Sequence, residues 1–124
     1  MPKPTLTWID KFRVAIRGIR WGITGQASFS IHIPVALIVI LLGALLRIES
    51  AEWIALIFSI GLVFTAELFN SAIEVLFQGL NPDQQDRFWK SLDIAAGAVL
   101  VASLTALVIG FIIFIPRLFA MFQQ

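Results

Sequence analysis

Two carboxylates and an amide share one stripe inside an apolar stretch. Glu67, Asn70 and Glu74 are spaced by three and four residues, which stacks side chains on one face of a helix. Ser71 lies beside them. Glu67 sits well inside the apolar run that begins at Trp53. Inserting an ionisable group at such a place costs about 2.5–3.5 kcal/mol, so it marks a functional position by default. At about 1.5 Å per residue, Glu67 lies about 10 Å deeper in the apolar stretch than Glu74. The deeper carboxylate suits proton abstraction from a hydroxyl. The shallower one suits a hard cation such as Mg²⁺, which prefers oxygen ligands and shares them with phosphates. The same polar groups could instead hold transmembrane helices together by hydrogen bonds, a role that fits Asn70 and Ser71 better than two glutamates.

Other polar residues are less specific. Asp93 opens the last apolar stretch, where a carboxylate also favours a helix N-terminus. His32, the sole histidine, stands at the start of an apolar run and reads as a boundary residue facing headgroups or capping a helix. No P-loop, kinase glycine loop or HExxH motif occurs, so those phosphate and metal mechanisms are excluded. With no cysteine, thiolate metal and redox sites are excluded too.

The elements that carry these residues are legible in the hydropathy. Of the residues, 59% are hydrophobic and 14% charged, against about 25% charged in an average soluble domain. The mean hydropathy is +0.91. A chain of 124 residues cannot hide so much apolar surface in its own interior. Residues 8–25 place Trp8, Phe12, Ile16, Ile19 and Ile23 on one stripe, with Arg13, Arg17 and Arg20 opposite. That pattern is a basic amphipathic helix on a membrane surface. Three spans follow, at about 30–48, 52–80 and 92–116. Gln84–Lys90 reads as a short polar connection, and Pro116-Arg117 as the close of the third span. Ala98, Ala102, Ala106 and Gly110 form a small-residue ridge suited to close helix approach. The expected fold is therefore an all-α membrane protein, a surface helix and three transmembrane helices in one domain, 1–124. Lys3, Lys11, Arg13, Arg17 and Arg20 make up more than half of the 9 Lys/Arg, which puts the N-terminus in the cytoplasm. The basic face belongs to a membrane helix, so nucleic-acid binding is not expected.

Over Glu67-Leu68-Phe69-Asn70-Ser71-Ala72-Ile73-Glu74 the chain resembles the prokaryotic diacylglycerol kinase family, whose second span carries E-x-x-N-[ST]-A-[IL]-E. Asp93-Ile94-Ala95-Ala96-Gly97-Ala98 resembles the family's second signature, and Phe12, Ala15, Gly18-Ile19, Phe29 and Ile31-His32 match weaker features. The resemblance covers residues 8–118. It implies a homotrimeric kinase of the bacterial inner membrane, which uses ATP and Mg²⁺ to phosphorylate a lipid alcohol, diacylglycerol or undecaprenol. It also implies roles: Glu67 as general base, Glu74 at the metal and nucleotide, Asn70 and Asp93 at the nucleotide. Lys90 joins them from the same face as Asp93, and Ser71 and Arg13 are assigned to the lipid substrate. Three positions depart from the family pattern. Gln26 replaces a loop glutamate that partners the metal, Ser30 a basic residue, and Leu92 a lysine. Gln26 retains a neutral oxygen for the metal. The departures also motivate a second reading, a kinase relative that has lost nucleotide binding and serves as a membrane interaction protein.

Overall fold

The computed structural model describes residues 4–25 and 27–123. Among them every regular element is a helix: α1 (Trp8–Gly25), α2 (Phe29–Leu45), α3 (Ser50–Gln78) and α4 (Pro82–Phe122). The start of α1 is a reciprocal cap. The Asp10 amide donates to Thr7 Oγ1 at 3.2 Å, while the Thr7 amide donates back to Asp10 Oδ2 at 3.1 Å. The hydrogen bonds from Thr7, side chain first and backbone second, hold the Asp10 carboxyl below its ordinary value. No α1 residue is buried, and Trp8, Phe12, Ile16 and Ile19 stay exposed, as a helix lying on a bilayer requires.

Helix α2 has 17 residues, a length of about 25 Å against a hydrocarbon core of about 30 Å. It ends in a Schellman turn. The Ile48 amide donates to the Gly43 carbonyl at 3.2 Å and the Arg47 amide to Ala44 at 3.3 Å. Arg47 takes the left-handed conformation, φ 50°, that this turn demands. The buried Ile48 lies against Gly43 and joins the apolar cluster on which Leu42 packs, at the tight entry into α3.

The polar connection expected at Gln84–Lys90 is helical instead. Asn81 caps α4, accepting from the Gln84 amide at 2.9 Å, and Pro82 occupies the first turn. No helix breaker stands between Pro82 and Ile94, so polarity alone does not interrupt the helix. Pro116 likewise fails to close α4, which runs on to Phe122. A proline removes one amide donor, and here no glycine or turn residue follows to exploit the gap. Beyond it, the Arg117 guanidinium is paired with Glu52 of α3, its Nε 3.2 Å from Oε2.

Helix α3 is central. It packs most extensively on α4 and also meets α1 and α2. The tightest apolar cluster, Ile48, Leu56, Ile113 and Phe114, lies at the Arg117 end, with Trp53 against Gly43. The small-residue ridge is used only in part. Ala102 is buried, but Ala98 is exposed and Gly110 has open space around it. The line along α4 that turns inward is Ala95, Ala102, Ile109 and Ile113. Its first steps are heptad-like, as in a left-handed pair of helices crossing at a shallow angle.

Helices α3 and α4 are each long and apolar enough to cross a membrane, and the chain is an all-α membrane protein. The 41 residues of α4 extend about 60 Å, twice the hydrocarbon thickness. Its polar start must therefore stand outside the apolar slab, and α3, antiparallel to it, projects to the same level.

Candidate functional site

The polar stripe of α3 faces inward. Glu67 is only 3% exposed, and Asn70 and Ser71 are buried with it. Glu74, one turn nearer the end of the helix, is half-buried. Asn70 Nδ2 donates to Glu74 Oε1 at 2.9 Å, so the amide bridges the stripe. Ser71 Oγ donates to the Glu67 carbonyl at 2.9 Å, which satisfies the hydroxyl within its own helix.

A residue from α2 completes the group. Phe29, which is buried, meets Phe64 edge-on at 5.8 Å between ring centroids. One turn along α2 from Phe29, His32 Nε2 lies 3.0 Å from Glu67 Oε1. His32 is thus turned inward against the carboxylate, not toward headgroups. The reason is the cost of Glu67: a buried carboxylate demands a partner, and α2 supplies one. That demand was the signal in the sequence that could have found His32. The spacing of Phe29 and His32 was the only local hint.

Among the described residues, two buried oxygens lack a partner: Glu67 Oε2 and Asn70 Oδ1. Leaving a buried acceptor unmade costs about 1–3 kcal/mol. Both can accept a hydrogen from a hydroxyl, and both are hard oxygen donors. Among the described residues no three His, Asp or Glu side chains cluster to cage a metal. Glu74 with Asn70 does fit Mg²⁺ held in the usual shared way, by one or two carboxylates together with substrate phosphates.

The other expected site residues stand apart. Arg13 is exposed on α1, and Lys90 is exposed on α4, its Nζ 5.7 Å from the Trp89 ring. Asp93 is exposed on α4. Among the described residues no hydrogen bond or ion pair joins these three to the stripe. Asp93 nevertheless lies at its height, because Glu67 and Asp93 are each about 16 Å along their helices from the α3–α4 turn. Gln26 lies outside the described residues. Helix α1 reaches the stripe through Gly22, whose missing side chain leaves room for Leu68, the neighbour of Glu67.

The family model described as prokaryotic diacylglycerol kinase matches residues 13–114. The chain is 32% identical to the undecaprenol kinase of Bacillus subtilis (strain 168) over 111 residues, 90% of each protein. It is 31% identical to a diacylglycerol kinase of Synechocystis sp. over 111 residues, 89% of this chain and 63% of that one. With the diacylglycerol kinase of Escherichia coli (strain K12) it shares 25% over 92 residues, 74% of this chain and 75% of that one. No solved structure matches it.

Proposed function

The chain belongs to the prokaryotic diacylglycerol kinase family, and from that premise we propose that it transfers the γ-phosphoryl group of ATP to the hydroxyl of diacylglycerol or undecaprenol. The observation that carries the proposal is Glu67 Oε2, a buried carboxylate oxygen without a partner among the described residues, on the same stripe as Asn70 and Glu74. A base must reach the hydroxyl it deprotonates, and Oε2 is the acceptor free to do so. In this reading the lipid O–H bond breaks and its proton passes to Oε2. The lipid oxygen bonds to the γ-phosphorus as the bond to the leaving ADP oxygen breaks.

Phosphoryl transfer needs positioning and charge neutralisation more than covalent chemistry. When bound, Mg²⁺ supplies neutralisation of the phosphate charge. Glu74 and Gln26 would hold it, and Asn70 would orient the Glu74 carboxylate by the hydrogen bond already described. Lys90 and Asp93 serve the nucleotide at the polar start of α4, and Arg13 and Ser71 serve the lipid. The protein works as a homotrimer in the inner membrane with its N-terminus in the cytoplasm. The exposure of Asp93 and Lys90 supports a site completed by a second copy.

The test is ATP-dependent phosphorylation in lipid bilayers, with diacylglycerol and undecaprenol offered separately. Phosphate transfer to either lipid is the expected result, and the preferred lipid names the substrate. Turnover of neither, with a membrane partner retained on purification, would favour the interaction-protein reading that Gln26, Ser30 and Leu92 motivate.

A further inference from the structure

We propose that His32 is the positioning residue of the base: it holds one oxygen of the Glu67 carboxylate so that the other is left to take the lipid proton. The proposal rests on the reading of Glu67 as the base. It goes beyond that reading in assigning a role to a residue on another helix. A carboxylate acting as a base has no hydrogen to give, so the contact of 3.0 Å between His32 Nε2 and Glu67 Oε1 is donated by the imidazole. That bond distinguishes two otherwise equivalent oxygens. Oε1 is engaged, whereas Oε2 is buried and without a partner among the described residues. It also fixes the torsion of a side chain that could otherwise swing between rotamers.

The supporting contacts are arranged for this. Phe29 against Phe64 docks the start of α2 on α3 one turn from the pair. Ser71 does not compete for the carboxylate, because its hydroxyl is spent on the Glu67 backbone carbonyl. Asn70 does not compete either, since its amide donates to Glu74. His32 is therefore the sole hydrogen-bond partner of the Glu67 carboxylate among the described residues. Its side chain is 23% exposed against 4% for Glu67, so the imidazole flanks the carboxylate on the open side. An oxygen misplaced by about 1 Å costs on the order of 100-fold in rate, which sets the scale of the effect.

The test compares His32→Phe, His32→Gln and His32→Asn in the full chain, alone and combined with Glu67→Gln, in bilayers containing the lipid that the parent phosphorylates. Phe fills the site and donates nothing. Gln carries an amide N–H with a reach similar to that of Nε2, whereas Asn carries the same donor on a shorter arm. The expected loss in kcat is about 10- to 100-fold for Phe and Asn, with KM for ATP within about twofold and Gln recovering most of the rate. In the Glu67→Gln background, His32→Phe should have no further effect, because the oxygen it positions is no longer a base. Equal rates for Gln and Asn, or the same fractional loss from His32→Phe with and without Glu67→Gln, would overturn the proposal. The Gln–Asn comparison decides the matter even if the Phe variant does not fold. Full turnover by Glu67→Gln alone is a different outcome: it removes the base itself, and the positioning role with it.

Discussion

At the scale of single residues, the proposed roles make distinct demands on Glu67 of α3 and on Gln26. Glu67→Gln keeps the shape and the hydrogen-bonding capacity of the side chain while removing its basicity. With Glu67 as the proposed base, whose contribution is typically about 10²–10⁴-fold, kcat is expected to fall by that factor while the proposed nucleotide binding survives. Steady-state kinetics together with an ATP-binding titration checks both halves. Nearly full turnover would make Glu67 a structural hydrogen-bonding group. Gln26→Glu restores a carboxylate where the family pattern has one. It is expected to lower the Mg²⁺ concentration for half-maximal activity, since a carboxylate binds a hard cation more strongly than an amide oxygen does. A titration of activity against Mg²⁺ measures it, and an unchanged or higher requirement would place Gln26 away from the metal.

At the scale of elements, α1 is secured by its cap and α4 by the seam it forms with α3. The Asp10 carboxyl titrates below its ordinary value because Thr7 donates to it. A lowered folded-state value means that the contribution is fully present above the ordinary carboxylate pKa. It is lost as the pH falls through the lowered one. Amide exchange in the first turn of α1, corrected for intrinsic rates, should therefore lose protection on acidification, and Asp10→Asn should abolish that dependence. A first turn equally protected across the range would show that the cap contributes nothing. On α4, Ala102 is buried, and Ala102→Leu adds three carbons to a close-packed seam. Overpacking of this kind typically costs about 1–3 kcal/mol, measurable as an earlier unfolding transition in detergent. Ala98→Leu, at an exposed position of the same ridge, is expected to leave that transition in place. An unchanged transition in Ala102→Leu would mean that the seam is loose enough to yield.

At the scale of the whole molecule, the helices define an apolar stretch with the polar stripe of α3 toward one end and an ion pair at the other. The charge-free stretch of α4 begins just after Asp93, level with Glu67, and closes near Arg117, which pairs with Glu52. Glu67 thus lies level with the border of the charge-free stretch of α4 and not with its centre. In the proposed reading, an ATP phosphate from water and a lipid hydroxyl from the membrane would converge there on one stripe. The chain has no native cysteine, so Ser50→Cys and Gln84→Cys provide clean topology probes. They are expected to react with a membrane-impermeant thiol reagent from opposite sides of oriented vesicles. Labelling from the same side would refute the arrangement.

Much of this was legible in the sequence, for identifiable reasons. The stripe of Glu67, Asn70 and Glu74 follows from helical periodicity, and the amphipathic α1 from the alternation of arginines with apolar residues. Both are properties of one element, so local spacing suffices. The true start of α4 was hidden because a run of polar residues reads as a loop, although Asn81-Pro82 followed by Gln84 already held the capping chemistry. The passage of α4 through Pro116 was hidden because its continuation is braced by an ion pair to α3 that local sequence does not announce. The partner of Glu67 was decided by tertiary structure alone. His32 and Glu67 are distant in the chain, and only the docking of Phe29 on Phe64 brings the imidazole within hydrogen-bonding reach of the carboxylate.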